Sequence, residues 1–197
     1  MNKLLLALWA CLPVAGWAYH QGPGQDRMKL DQVDAAIARA EVELDGGNHD
    51  LALQNLEDAL KDLPEDRVSD ARKIRLNLNK LRLEHKQLVK AQKDLQVMVE
   101  EMSADPDADA EVLSEARRTY ANAQYYITYL MRLEGYTREQ WEPEIEKSRQ
   151  AFRLLAEQAS CSTDETKALT AREDLESAVR LARLELSDLQ GLPLPSQ

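Results

Sequence analysis

Residues 46–66 read GGNHDLALQNLEDALKDLPED. Gly46 and Gly47 close a first helix that the sequence predicts from about Asp31, where QVDAAIARAEVEL places Val33, Ile37, Ala40 and Leu44 on one face. Asn48 is placed to cap a second helix by accepting bonds from its free amides. That helix carries Leu51, Ala52, Leu56, Ala59 and Leu60 as a stripe. It must end before Pro64, which lacks an amide hydrogen and whose ring blocks the preceding turn. Two amphipathic helices joined by a glycine turn make a helical hairpin. The stretch holds no nucleophile beside a base, no cluster of metal ligands and no phosphate-binding loop, so it reads as scaffold.

The composition extends that reading to the whole chain. Only 7 of 197 residues are glycine, β-branched residues are few, and Leu, Ala, Glu, Arg, Lys and Asp dominate, which favours long helices. The expectation is an all-α array of antiparallel helical hairpins, one domain over 31–190, with a flexible lead-in at 19–30 and a loose tail at 191–197. Ahead of it, MNKLLLALWACLPVAGWA has one early charge at Lys3, a short apolar run, Pro13, and small residues at Gly16 and Ala18. That is the layout of a secretory signal, with cleavage expected after Ala18, and the run is too short to span a bilayer. The mature protein is then periplasmic or secreted. LWAC loosely resembles a lipoprotein box around Cys11, but Trp9 fits such a box poorly and apolar sequence continues past it, so cleavage at Ala18 is preferred.

Removing Lys3 from the 25 basic side chains leaves 24 against 35 acidic ones, a formal charge of −11. Such a chain is repelled by nucleic-acid backbones, which are bound mainly through Lys and Arg, and it does not suit anionic membrane surfaces. Cys161 is the single cysteine of the mature chain, so no internal disulfide can form. It reads as a small apolar residue near a helix end, with an intermolecular bridge or a reactive thiol as the alternative. His20 would stand second in the mature chain, where an amino terminus and an imidazole can bind copper, but nothing nearby completes a site.

RLNLNKLRLEH, residues 75–85, alternates apolar and polar like a strand. The longer window reads differently: Ala71, Ile74, Leu78, Leu81, His85, Leu88, Gln92, Leu95, Val99 and Met102 are spaced three and four throughout, a sustained heptad seam. The spacing predicts one long helix over 71–102, with Leu76, Leu83 and Val97 as a thinner second stripe and His85 and Gln92 as polar register-setting residues.

SADPDADAE then breaks the helix. Asp105, Asp107 and Asp109 have a calcium-like spacing, but the glycine and the closing glutamate of a calcium loop are replaced by Ala110 and Ala116, and acidic residues suit a helix start. A helix over about 110–134 follows, with Val112, Ala116, Thr119, Ala123, Tyr126, Ile127, Leu130 and Leu133 on its apolar face. Gly135 ends it. Thr137 and Gln140 form a capping box, with Tyr136 positioned to staple onto Trp141, and Pro143 predicts a kink or restart near Glu142. Ile145, Phe152, Leu155 and Ala159 carry that helix on. A box at Ser162 opens a last helix through Leu189, whose Ala168, Ala171, Ala178 and Ala182 suit close packing.

Within this array, Gly47, Ala52, Leu56, Ala59 and Pro64 fall where the tetratricopeptide repeat has its turn glycine, two small packing residues, a large apolar residue and closing proline. The segment 33–64 therefore resembles one such repeat. Ala40 fills the small position of the first half, while the usual Trp, Leu-Gly and Tyr are missing there and His49 takes the tyrosine place. The resemblance implies a TPR-like helical protein that holds a peptide or protein segment.

Three isolated histidines and one cysteine give catalysis little support, and neither a cofactor nor a metal is expected. The aromatic residues are more informative, since apart from Tyr19 those of the mature chain lie between Tyr120 and Phe152. Arg118, Asn122, Tyr125, Tyr129 and Arg132 stack as one helical stripe opposite Tyr126. Tyr and Arg are favoured at interface hot spots, so this stripe is the candidate partner-binding surface; the alternative is that the tyrosines pack beneath a following helix with the arginines reaching outward. The functional expectation is an exported, non-enzymatic TPR-like scaffold for a protein or peptide partner. The alternative is a structural envelope protein self-associating, as a homodimer, through the 71–102 seam.

Overall fold

The computed structural model describes residues 23–85, 87–160, 165–185 and 188–189. The expected signal segment with Cys11, His20, Cys161 and the expected box at Ser162 lie outside them. The described chain is seven helices: α1 (Pro23–Asp45), α2 (His49–Asp62), α3 (Val68–Glu84), α4 (Leu88–Ala104), α5 (Ala110–Leu133), α6 (Arg138–Ser160) and α7 (Glu165–Arg183). No strand occurs among the described residues, as the composition requires. The chain divides into two compact units, 1–75 and 76–197, with the boundary inside α3.

The first unit is built on the α1–α2 hairpin. α1 starts at Pro23 rather than Asp31, so residues 23–30 are helix and not lead-in. Proline suits that first position, because a first-turn amide has no helical partner to lose. The hairpin turns at Gly47, whose φ of +76° is open to glycine at little cost. Asn48 N–H donates to Glu43 O at 2.7 Å and Gly47 N–H to Leu44 O at 3.0 Å, a paired closure that satisfies the last carbonyls of α1. Asn48 does not cap α2 with its side chain; its Nδ2 instead donates to Glu43 Oε2 at 2.7 Å. Ala40, Ala52 and Ala59 are 0–1 % exposed, so the small residues of this hairpin lie at buried positions. Leu51 departs from the expected stripe at 50 % exposed, and Leu53 is buried in its place, giving α2 a face of Ala52, Leu53, Leu56 and Ala59. Each of the two leucines contributes about 1.5–3 kcal/mol through burial.

The long helix expected over 71–102 is two helices, α3, which straddles the unit boundary, and α4 in the second unit. Asn79 Nδ2 donates to Asp94 Oδ2 at 2.6 Å. In one continuous helix these residues would stand about 22 Å apart, so the chain must reverse between them. Reversal also re-aims the seam. α3 buries Ile74, Leu78 and Leu81 as expected, but α4 buries Ala91, Leu95, Met98 and Met102 rather than Leu88, Gln92 and Val99. Of the second stripe, Leu76 is buried and Val97 is exposed.

α5 is shared by two cores. Ala116 and Ala123 join Leu76, Leu95, Met98 and Met102. Ala121 and Tyr125 join Trp141, Ile145 and Phe152 of α6 with Ala178 and Leu181 of α7. Near its C-terminus, Leu130 and Leu133 of the expected apolar face are exposed, and the buried side is Tyr125, Thr128 and Arg132. Gly135, at φ +81°, ends α5 as Gly47 ends α1: Tyr136 N–H donates to Met131 O at 3.0 Å and Gly135 N–H to Arg132 O at 3.2 Å. Thr137 N–H donates to Gln140 Oε1 at 3.0 Å, forming that half of the capping box. Tyr136 is 45 % exposed and Trp141 is buried. α6 runs through Pro143 without the expected restart, and α7 ends at Arg183, short of Leu189.

Candidate functional site

The five residues of the expected recognition stripe all lie on α5, and the structure places most of them inside. Asn122, Tyr125 and Arg132 are buried, while Arg118 and Tyr129 are half-buried. Tyr125 is completely enclosed in the α5–α6–α7 core, where Tyr129 also packs. The partner-binding assignment of Arg118, Asn122, Tyr125, Tyr129 and Arg132 is therefore corrected for Asn122, Tyr125 and Arg132, whose side chains are buried, and Tyr129 packs against the same core. The reason is that α5 carries two apolar sides, so the side opposite Tyr126 is covered as well.

Chemistry around this stripe is structural. Tyr125 meets Tyr126 edge to face, ring centroids 5.9 Å apart at 86°. Burial, reinforced by the neighbouring Tyr126 and Tyr129, pushes the Tyr125 phenol up to about 12, so at neutral pH it is no base. Arg132 is the one cation of the stripe with a defined task. Its Nη1 donates to the carbonyl of Leu181 and its Nη2 to the carbonyl of Leu184. These are carbonyls at the end of α7, where four acceptors lack helical partners and the helix dipole is negative. The same guanidinium lies over the Trp141 ring, 4.6 Å from its centroid, a cation–π contact made strong by burial. Burial also lowers the Arg132 pKa from its ordinary value, against the opposing pull of Glu185. Arg132 is thus a clasp of α5 on α6 and α7, and a long-range one that the sequence gives no means to see.

Several other interior polar side chains are hydrogen-bonded, across helices or within one. Ser148 Oγ donates to Ala121 O at 2.9 Å across α5 and α6, Thr128 Oγ1 to Gln124 O at 2.8 Å, and Gln124 Nε2 to Tyr120 Oη at 2.8 Å. A second cluster joins α3 to α4: Arg82 Nη1 donates to Asn79 Oδ1 at 3.0 Å and lies 3.5 Å from Asp94 Oδ2. Lys80 Nζ pairs with Glu115 Oε1 of α5 at 2.8 Å. Sequence reading missed this cluster, whose only signal was the polar placement of Asn79 and Arg82 beside the leucines.

Asp109 caps α5, accepting from Glu111 N–H at 2.9 Å and Val112 N–H at 3.2 Å, and Asp105 Oδ1 accepts from Asp107 N–H at 3.0 Å. Asp109 thus takes a helix-start role, while Asp105 stands at the C-terminal end of α4. Among the described residues no three His, Cys, Asp or Glu side chains are grouped to hold a metal, and no helix is long and apolar enough to cross a membrane. Comparison of the chain with known family models, with curated proteins and with solved structures finds no match.

Proposed function

We propose that the chain is an exported, non-enzymatic helical scaffold that binds a protein or peptide partner. The observation that carries this reading is the α1–α2 hairpin. Its turn glycine adopts the left-handed conformation and its alanines at 40, 52 and 59 are buried to 0–1 % exposure, the build of a module whose outer surface is free for recognition. The interior supports it too, since Arg132, Ser148 and Asn79 are engaged in bonds that hold helices together. Export rests on the sequence of residues 1–18, with its early charge, apolar run and small residues before Tyr19.

Photo-crosslinking in the exporting cell tests the binding reading. A photoreactive residue is placed at Val42 or Leu51, exposed beside the hairpin turn at 69 % and 50 %, or at Leu130 or Leu133. A discrete protein adduct at one of the two regions is expected. Absence of an adduct at all four positions overturns the scaffold. Export is tested separately by the mass of the mature chain, which begins at Tyr19 and carries no lipid.

A further inference from the structure

α5 outruns the helix that packs against its first half. Val112, Ala116, Thr119, Ala123, Tyr126, Leu130 and Leu133 are spaced four and three throughout, so they form one continuous line along the helix. That line is covered at first and uncovered at its end. Ala116 and Ala123 are 0 % exposed and pack with Leu95 and Met98 of α4, whereas Leu130 and Leu133 are 45 % and 48 % exposed. α4 begins at Leu88, which packs against the same cluster. From Ala123, α5 runs on to Leu133, about 15 Å or nearly three turns further. The residue types change with the cover: alanine stands where α4 packs, and leucine where it does not.

We propose that Leu130 and Leu133 seat an amphipathic helix of a partner protein that carries Lys or Arg beside its apolar stripe. This rests on the scaffold reading and names the chemistry of the partner. Two observations select the occupant. The first is register: the line that packs against α4 continues unbroken, so a second helix laid beyond the start of α4 meets the same three-four pattern. The second is charge. Glu134 directly flanks Leu130 and Leu133, and Glu139 lies in the first turn of α6, just past the α5–α6 turn. Both residues are exposed, and among the described residues neither carboxylate has an ion-pair or hydrogen-bond partner. The cations nearest in the chain are committed, Arg132 to the α7 carbonyls and Trp141, and Arg138 to Glu142 at 2.7 Å. The end of the line therefore presents uncompensated negative charge, which selects a cationic flank on the partner. A second copy of the chain fits poorly, because it brings the same carboxylates and a formal charge of −10. Two leucines with a flanking charge form a short site of the weak, reversible class.

The probes are two labelled synthetic peptides of about three heptads with leucine at both seam positions. One carries lysine at the flanking positions and the other glutamate. Binding of each to the protein is measured by fluorescence anisotropy at low salt. The lysine peptide is expected to bind roughly ten-fold or more tightly than the glutamate peptide. Leu130→Ser/Leu133→Ser should weaken the lysine peptide by roughly ten-fold or more, with the circular dichroism of the protein unchanged because both side chains are half-exposed. Glu134→Lys/Glu139→Lys should reverse the preference towards the glutamate peptide, a result that loss of folding cannot produce. The site is overturned if the lysine peptide does not bind, if both peptides bind alike, or if either double variant leaves binding as in wild type. It is equally overturned if another occupant takes the leucines, seen as a dimer in light scattering or as binding to phosphatidylglycerol vesicles that the serine variant abolishes. A photo-crosslinked adduct at Val42 or Leu51 together with no peptide binding keeps the scaffold and removes this site alone.

Discussion

At the scale of single residues, Arg132 shows how much of this protein's specificity lies in one buried cation. Its planar fork matches two carbonyls at the end of α7, and its face matches the Trp141 ring. Arg132→Ala removes both and leaves the end of α7 unsatisfied, for an expected loss of about 2–4 kcal/mol. Arg132→Lys keeps the charge but cannot fork, so it should recover only part of that loss in urea denaturation. Equal stability of the lysine variant and wild type would assign the role to charge alone. Tyr125 makes a second, pH-dependent prediction. Burial holds its folded pKa at about 12 against 10.0 for an exposed phenol, so between these values the native state retains a proton that the unfolded chain has lost. Stability from this group is complete below pH 10 and falls as pH rises towards 12, by on the order of 2–3 kcal/mol. Urea midpoints measured from pH 9 to 12 should therefore decline less steeply for Tyr125→Phe than for wild type, and identical slopes would refute the assignment.

At the scale of elements, turns with dedicated chemistry were legible and turns without it were not. Gly47, Pro64, Asp109 and Gly135 each mark an observed helix end, because a left-handed φ, a missing amide or a capping carboxylate acts within a few residues and needs no tertiary context. Gly135 gives a direct measure: a Cβ there would meet nothing within 4 Å, so Gly135→Ala should cost about 1 kcal/mol through the φ of +81° alone. A thermal shift near zero would mean that the turn relaxes. The break at 85–87 had no such signal. Its cause is the pairing of Asn79 and Arg82 with Asp94 and the burial of Leu76 with Met98, contacts between residues far apart in sequence. The recognition stripe was misplaced for a related reason. The period of α5 was read correctly, but a helix packed on two sides has no polar face opposite its apolar one, and Arg132 and Asn122 resemble surface residues until the carbonyls of α7 are in place. In α6 and α7, Ser148 and Asp174 were passed over as polar although both occupy buried positions.

At the scale of the whole molecule, the two units hold separate cores. Ala52, Leu53, Leu56 and Ala59 belong to one, and the clusters around Met98 and Phe152 to the other. Perturbations placed in each core should then act independently. Ala59→Leu adds bulk where the alanine is 0 % exposed, and overpacking of this kind costs about 1–3 kcal/mol. In native-state hydrogen exchange it should accelerate amides of α1 and α2 and leave those of α5 to α7 unchanged. Arg132→Ala should do the reverse. The double variant should lose the sum of the two single losses to within about 0.5 kcal/mol. Acceleration spread over both units by either single change would show that they open as one cooperative body, whereas no response to Ala59→Leu would show that the packing of the α1–α2 hairpin tolerates added bulk at this position.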